Sequence, residues 1–284
     1  MSEVRQEIIK HGKWSTFVSY AGSPKDGAVL LLHGSGPGAS AWSNWQSAVE
    51  TFSKDYFTIA PDLAGFSKSA APAFPDTVLG WMDLWFDQLL DLLEHFGCSH
   101  VNLVGNSLGG AVALHLLLRR PEMFRSVVLM GSVGAPFQLT QELDFIWGFY
   151  DSPSEEKMAR LISWFAYDEA FLGDRLKEIA AMRFKAAMDP AVREAFSAMF
   201  PAPRQRHIDD LRIPEADLRQ IKQPVLLVHG KNDYIVPVET SHYLLEHLGG
   251  PVQMHIYGRC SHWTQIEFRE SFEYLLAGFF KGAL

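Results

Sequence analysis

Cysteine is scarce in this chain. Cys98 and Cys260 are the only two in 284 residues, too few for a disulfide scaffold and without the CxxC spacing of a metal or redox site, so each is expected to be a free thiol. Long apolar runs are missing too. No uncharged stretch reaches the roughly 18 residues of a membrane-spanning helix, and the opening MSEVRQEIIKHGKW lacks the apolar segment of a secretory signal. Positive charge is in deficit, with Lys+Arg 25 against Asp+Glu 33, and the net charge of -8 is not gathered into blocks. Nucleic-acid backbones and anionic membranes are therefore not expected as partners. No cluster of His, Cys and Asp suggests a metal, and there is no internal repeat, low-complexity tract or linker. What remains is the composition of a globular protein, 48% hydrophobic and 20% charged, long enough to bury its own core. The expectation is a soluble, cytoplasmic chain.

The apolar residues that are present fall into short runs separated by amphipathic stretches. That is the signature of parallel strands buried on both faces and alternating with covering helices, an α/β fold. Strands are expected at 28–32, 56–60, 101–104, 126–130, 224–228 and 252–257, preceded by an antiparallel hairpin at 7–10 and 16–20. Helices are expected within 41–52, 77–96, 108–119, 238–247 and 267–280. From 136 to 213 no buried strand is evident; helix-period segments rich in Phe, Trp and Met, such as LDFIWGFY and LISWFAY, replace it. This predicts a core of 1–135 and 214–284 with a helical lid at 136–213 inserted after the sixth strand. The stripe Phe145, Trp147, Phe149, Trp164, Phe165 and Phe171 is expected to be mostly lid core, with one or two members lining an apolar acyl pocket.

Chemistry enters with HVNLVGNSLGGAVALHLLL. Gly105-Asn106-Ser107-Leu108-Gly109 fits G-x-S-x-G, follows an apolar strand and opens a helix, the context in which that motif presents a serine on a strained turn. The helix start offers backbone N–H groups to a developing oxyanion, Leu108 first among them. A serine hydroxyl needs a base and an acid that orients it, in the chain order Ser, acid, His. Asp233 in VLLVHGKNDYIVP follows a late strand, with helix capping as its alternative role, and His262 in YGRCSHWTQIE follows the last strand. His255 competes for the part of base but sits within the strand pattern VQMHIY, which suits a structural role; His33 and His229 also read as structural. Asp62 reads as a turn or cap. The loop from His33 to Ala39 formally matches a dinucleotide fingerprint, but no acidic residue ends the next strand at the right place and Pro37 interrupts the N–H array. It reads better as the HG-type loop that donates a second oxyanion N–H, from Ser35 or Gly36.

Taken together, HGSGPGASAWSNW, GNSLGG, HGKNDYIVP and GRCSHW resemble the meta-cleavage-product hydrolases, α/β-hydrolases that cleave a carbon–carbon bond in ring-opened aromatic catabolites. MRFKAAMDPAVREAFSAMFPAPRQR is similar to the branch acting on alkylbenzene-derived products. The resemblance implies an α/β-hydrolase fold with a mostly parallel eight-stranded sheet. It also implies a triad of Ser107, Asp233 and His262, with Ser35 and Leu108 N–H groups as the oxyanion hole. The substrate-binding residues would be Gly36, Asn44, Asn106, Arg183 and Trp263. It implies hydrolysis of a 2-hydroxy-6-oxo-hexa-2,4-dienoate to 2-hydroxypenta-2,4-dienoate and a carboxylic acid, without cofactor or metal, by a homo-oligomer. An anionic substrate entering a protein of net charge -8 needs a local cation, which gives Arg183 a physical reason. The residue before His262 is commonly glycine in the family and is Ser261 here, and the segment before Arg183 is a few residues longer. A carboxylesterase using the same triad, or a non-catalytic ligand-binding member of the fold, are the rival readings.

Overall fold

The computed structural model describes residues 3–282. Eight strands form one sheet: β1 (Arg5–His11), β2 (Trp14–Ala21), β3 (Ala28–Leu32), β4 (Phe57–Pro61), β5 (Val101–Asn106), β6 (Phe124–Met130), β7 (Val225–Gly230) and β8 (Val252–Tyr257). Their spatial order is β1-β2-β4-β3-β5-β6-β7-β8. β1 and β2 make the expected entry hairpin and β2 runs antiparallel to β4; every later pairing is parallel.

Both faces of the central parallel strands are largely apolar, and the two-residue period of the strand sends alternate side chains to opposite cores. Leu30, Leu32, Leu103, Val127 and Leu129 pack with α2 (Val78–His95) and α3 (Leu108–Arg119) on one face. Val29, Leu31, Val104, Val128 and Met130 pack with α1 (Ala41–Phe52) and, at the end of the chain, α13 (Arg269–Phe280) on the other. The chain leaves β3 for β4 on one side and comes back to β5 on the other, so β3 marks a reversal of strand order. Ligand crevices of open α/β sheets form beside such a reversal, at the carboxyl ends of the strands.

Between β6 and β7 the described residues contain helices and no strand: α4 (Gln141–Trp147), α5 (Glu155–Ser163), α6 (Glu169–Leu172), α7 (Arg175–Ala187), α8 (Pro190–Met199), α9 (Gln205–Leu211) and α10 (Glu215–Leu218). After β7 come α11 (Glu239–His247) and α12 (Thr264–Glu267). Among the described residues no helix is long and apolar enough to cross a membrane.

Three expectations are refined by the structure. The single helix expected at 267–280 is two, because Phe268 at φ −122 and ψ 37 breaks the ladder between α12 and α13. β6 begins at Phe124, ahead of the apolar run that announces it. Asp62 is a cap, but at a distance: from the end of β4 its Oδ1 accepts the N–H of Ala41 at 2.6 Å, at the first residue of α1.

Candidate active site

Ser107 joins β5 to α3 with φ 56 and ψ −116, one of the few non-glycine residues in left-handed territory. The surrounding sheet holds it there. Its N–H donates to Met130 O at 2.9 Å and its carbonyl accepts from Val133 N at 3.2 Å. Gly109 lets α3 start hard against the end of β3, since a Cβ on it would lie 2.5 Å from Leu32 O. The N–H of Leu108, opening the helix, belongs to the first turn, where no intrahelical carbonyl is available.

From the ends of β7 and β8 come an acid and a base. His262 Nδ1 donates to Asp233 Oδ2 at 2.7 Å, which leaves Nε2 as the proton-accepting nitrogen. The other carboxylate oxygen accepts the N–H groups of Ile235 at 2.8 Å and Val236 at 3.0 Å. His229 adds a further partner. Its Nε2 lies 3.3 Å from Asp233 Oδ2 and 3.0 Å from Val236 O, both acceptors, so the proton sits on Nε2 and Nδ1 accepts from Ser241 Oγ at 2.7 Å. Burial by itself pushes the Asp233 carboxyl up, but the neighbouring His262, helped by the hydrogen bonds from His229 and His262, holds it well below the usual carboxylate range. Gly131, at φ 50 after β6, makes room for the pair: a Cβ there would stand 3.1 Å from Asp233 Oδ2 and from His262 Nδ1.

The third wall is the loop after β3. His33 anchors it, with Nδ1 bonded to Gly34 O at 2.9 Å and Nε2 accepting Leu63 N–H at 3.0 Å; burial pulls this imidazole down to about 4. Ser35 Oγ accepts the indole N–H of Trp147 at 2.9 Å, and that indole stacks on Phe200 with centroids 4.4 Å apart. Arg183, from α7, spans the loop: Nε donates to Pro37 O at 3.0 Å, the guanidinium lies 5.5 Å from the Phe165 ring, and a Cβ on Gly36 would overlap it. Burial lowers its pKa to about 10, opposed by the nearby Tyr150, so it stays charged at neutral pH. Among the described residues it has no carboxylate partner. A partly buried cation without an anion is costly, and an anionic ligand would relieve that cost.

Ser35, Gly36, Asn44, Asn106, Ser107, Arg183, His262 and Trp263 all line one small cavity. Asp233 stands behind His262, and Leu108, the first residue of α3, is not among the lining residues. Asn44 Nδ2 bonds Ser40 O at 3.0 Å and Asn106 Nδ2 bonds Met130 O at 3.3 Å, so helix and strand ends position both amides. His255 does not line the cavity; it packs edge-on against Tyr257. Three participants escape the sequence reading: His229 and Gly131 brace the acid and base, and Trp147 fixes Ser35. Phe165, from the aromatic stripe, lines the cavity and stacks on Trp263 at 4.8 Å. Ser261 donates to Trp164 O at 2.8 Å and ties the loop of His262 to the inserted helices. Phe171 departs from the aromatic stripe, being 39% exposed.

The family model described as alpha/beta hydrolase fold matches residues 27–268. The chain is 40% identical over 278 residues to a 2-hydroxymuconate semialdehyde hydrolase of Pseudomonas sp. strain CF600, covering 98% of this chain and 94% of that one. It is 41% identical over 259 residues to a 2-hydroxy-6-oxo-2,4-heptadienoate hydrolase of Pseudomonas putida strain F1, covering 91% and 89%. The solved structure of a 2-hydroxy-6-oxo-6-phenylhexa-2,4-dienoate hydrolase from Rhodococcus sp. strain RHA1 superposes with a TM-score of 0.94 at 38% identity, covering 99% of this chain and 100% of that one. With Ser107 on its strained turn, a histidine–aspartate pair beside it and these relatives matched over nearly their whole length, the chain belongs to the α/β-hydrolase family and, within it, to the meta-cleavage-product hydrolases.

Proposed function

We propose that the protein hydrolyses the carbon–carbon bond between C5 and C6 of a 2-hydroxy-6-oxo-hexa-2,4-dienoate, giving 2-hydroxypenta-2,4-dienoate and a carboxylic acid. The observation that carries the reading is Arg183, a desolvated guanidinium without an ion-pair partner among the described residues, in the same cavity as Ser107 and His262. An ordinary esterase has no need of a partly buried cation there. Arg183, with Asn44 and Asn106 nearby, holds the carboxylate end of the dienoate, and Trp263 closes the side next to the base. The residues at 136–213 form the lid, a role supported by Phe165 and Arg183 reaching into the cavity from that segment.

Loss of the C2 hydroxyl proton and protonation at C5 first convert the dienol to its keto tautomer, with no net change in protons. His262 Nε2 then takes the hydroxyl proton as Ser107 Oγ bonds to C6, and the N–H groups of Leu108 and Ser35 receive the charge on the C6 oxygen. As the tetrahedral centre collapses, the C5–C6 bond breaks. Its electron pair delocalises through C4–C3 onto the C2 oxygen, and the proton held by His262 neutralises the departing dienolate. Water, deprotonated by the same histidine, attacks the acyl-serine and releases the acid. Asp233 stays ionised throughout and stabilises the imidazolium.

The test compares two substrates. In Arg183→Gln, kcat/KM for a yellow dienoate should fall by roughly 10²-fold or more, about 3 kcal/mol of charge-assisted bonding, while hydrolysis of a neutral p-nitrophenyl ester should change only a few-fold. Equal losses on both substrates would make Arg183 a structural residue of the inserted helices. A parent enzyme that turns over esters and leaves dienoates untouched would defeat the reading outright.

A further inference from the structure

The cavity around Ser107 is small, and Asn44, Arg183 and Trp263 belong both to it and to a second, larger space of about 750 Å³ outside it. This outer groove runs between α1, α7 and the α12–α13 corner. Its walls are suited to a hydrocarbon chain: Phe171, Ile179, Met182 and Ile266 line it, and Phe171 and Met182 are among the few large apolar side chains left exposed, at 39% and 64%. Its charges are unevenly matched. The acids are engaged by α1, Glu273 accepting from Ser47 at 2.5 Å and Thr51 at 2.8 Å, and Glu50 from Gln46 at 3.0 Å. The arginines are not. Arg175 has no ion pair among the described residues, and Arg269 has only the exposed Glu270, at 4.0 Å. On a protein of net charge -8, a groove lined by three arginines, Arg175, Arg183 and Arg269, against two glutamates, Glu50 and Glu273, is a local exception.

We infer that this groove is the entry route of the anionic substrate, and that Arg175 and Arg269 capture its carboxylate and pass it to Arg183 at the junction. The inference rests on the proposed function. It also fixes a direction of travel. Because Arg183 stands where the two spaces meet, the acyl end enters the inner cavity first and the carboxylate follows, coming to rest at the threshold. Arg175 and Arg269 touch the substrate only on the way in, so they govern capture and leave the chemical step alone.

The experiment is steady-state kinetics of Arg175→Glu/Arg269→Glu across ionic strength, with a dienoate and a neutral p-nitrophenyl ester. At low salt the double variant should lose about tenfold in kcat/KM for the dienoate with kcat within about twofold of the parent, and the gap should close near 0.5 M salt, where screening shortens the reach of the charges. The ester should be unaffected. Ile179→Trp, which narrows the groove without changing its charge, should lower kcat/KM several-fold for both substrates. Parent-like kcat/KM and salt dependence in the double variant, or an equal loss on the ester, would overturn the role of the arginines. Parent-like rates for Ile179→Trp on both substrates would place the route elsewhere. A parent inert toward dienoates is a different result and removes the proposed function itself.

Discussion

Replacing Asp233 with asparagine changes one oxygen for an NH2 and almost no volume, so its effect can be worked out from hydrogen bonds alone. Oδ1 of Asp233 faces two N–H donors, Ile235 at 2.8 Å and Val236 at 3.0 Å, whereas Oδ2 faces the histidines. The asparagine carbonyl will keep the first position, because the flipped amide would set its NH2 against two buried donors, at about 1–3 kcal/mol for each group left unsatisfied. The NH2 is thereby turned toward His262 Nδ1. Two donors cannot share that contact, so the imidazole moves its proton to Nε2, the nitrogen that must accept the proton of Ser107. Reaching the productive tautomer means facing donor against donor, about 2–4 kcal/mol, and the imidazolium formed in the reaction also loses its counter-charge. The combined loss in kcat should be about 10³- to 10⁴-fold. It would be read from the decay of dienoate absorbance, with a thermal melt confirming the fold. A variant within about tenfold of the parent, folded and saturable, would show that the tautomer of His262 is not set by Asp233.

Ser107→Ala should lose several orders of magnitude in turnover while still binding a dienoate, visible as a perturbed absorption band; more than about a tenth of parental activity would exclude Ser107 as nucleophile. Gly131→Ala places a Cβ in left-handed backbone 3.1 Å from Asp233 Oδ2 and His262 Nδ1. We expect a melting point only slightly lower, about 1–2 kcal/mol of strain, but a kcat about 10- to 10²-fold down, and an unchanged kcat would mean the pair tolerates displacement. His33 is held neutral by burial, with its pKa near 4 against 6.5 for a free imidazole. Between those values the unfolded chain takes up a proton that the folded one refuses, so stability falls as pH falls, by about 2 kcal/mol from pH 7 to pH 5 for this group. In His33→Gln the shift of the urea midpoint over that range should shrink accordingly, and an identical shift would assign the acid sensitivity to other groups.

How much of this was legible in the sequence depended on whether a feature is local. The strands were readable because doubly buried strands must be apolar over their whole length, as AVLLL and VLLV are. Ser107 was readable because its turn has room for little but glycine two residues to either side, at Gly105 and Gly109, and Asp233 and His262 because chain order in this fold sends them to adjacent strand ends. The contacts that hold them in place have no such signature. His229 reaches Asp233 across a single loop, but nothing in HGKND tells a bracing histidine from a buried structural one. Trp147 meets Ser35 across 112 residues, and a tryptophan in an apolar helix looks like core whether or not its N–H has a use. Phe171 looks like core as well, and the structure leaves it partly exposed on the outer groove.

The same division explains why the site sits where it does. Parallel strands covered on both faces form a rigid layer, and here the ends of β3, β5, β6, β7 and β8 deliver the anchored loop, the serine, the glycine space, the acid and the base to one edge. Ser107 keeps its unfavourable backbone angles because Met130 and Val133 hold it on one side and the close-packed start of α3 on the other. That strain of about 1–3 kcal/mol is small beside what the layer buries. Arg183, Phe165 and Trp147 come instead from the helices between β6 and β7, which touch the site through a few polar contacts and stacked rings. Changes in those helices can therefore alter which acyl group fits while the geometry of serine, histidine and aspartate stays fixed by the sheet.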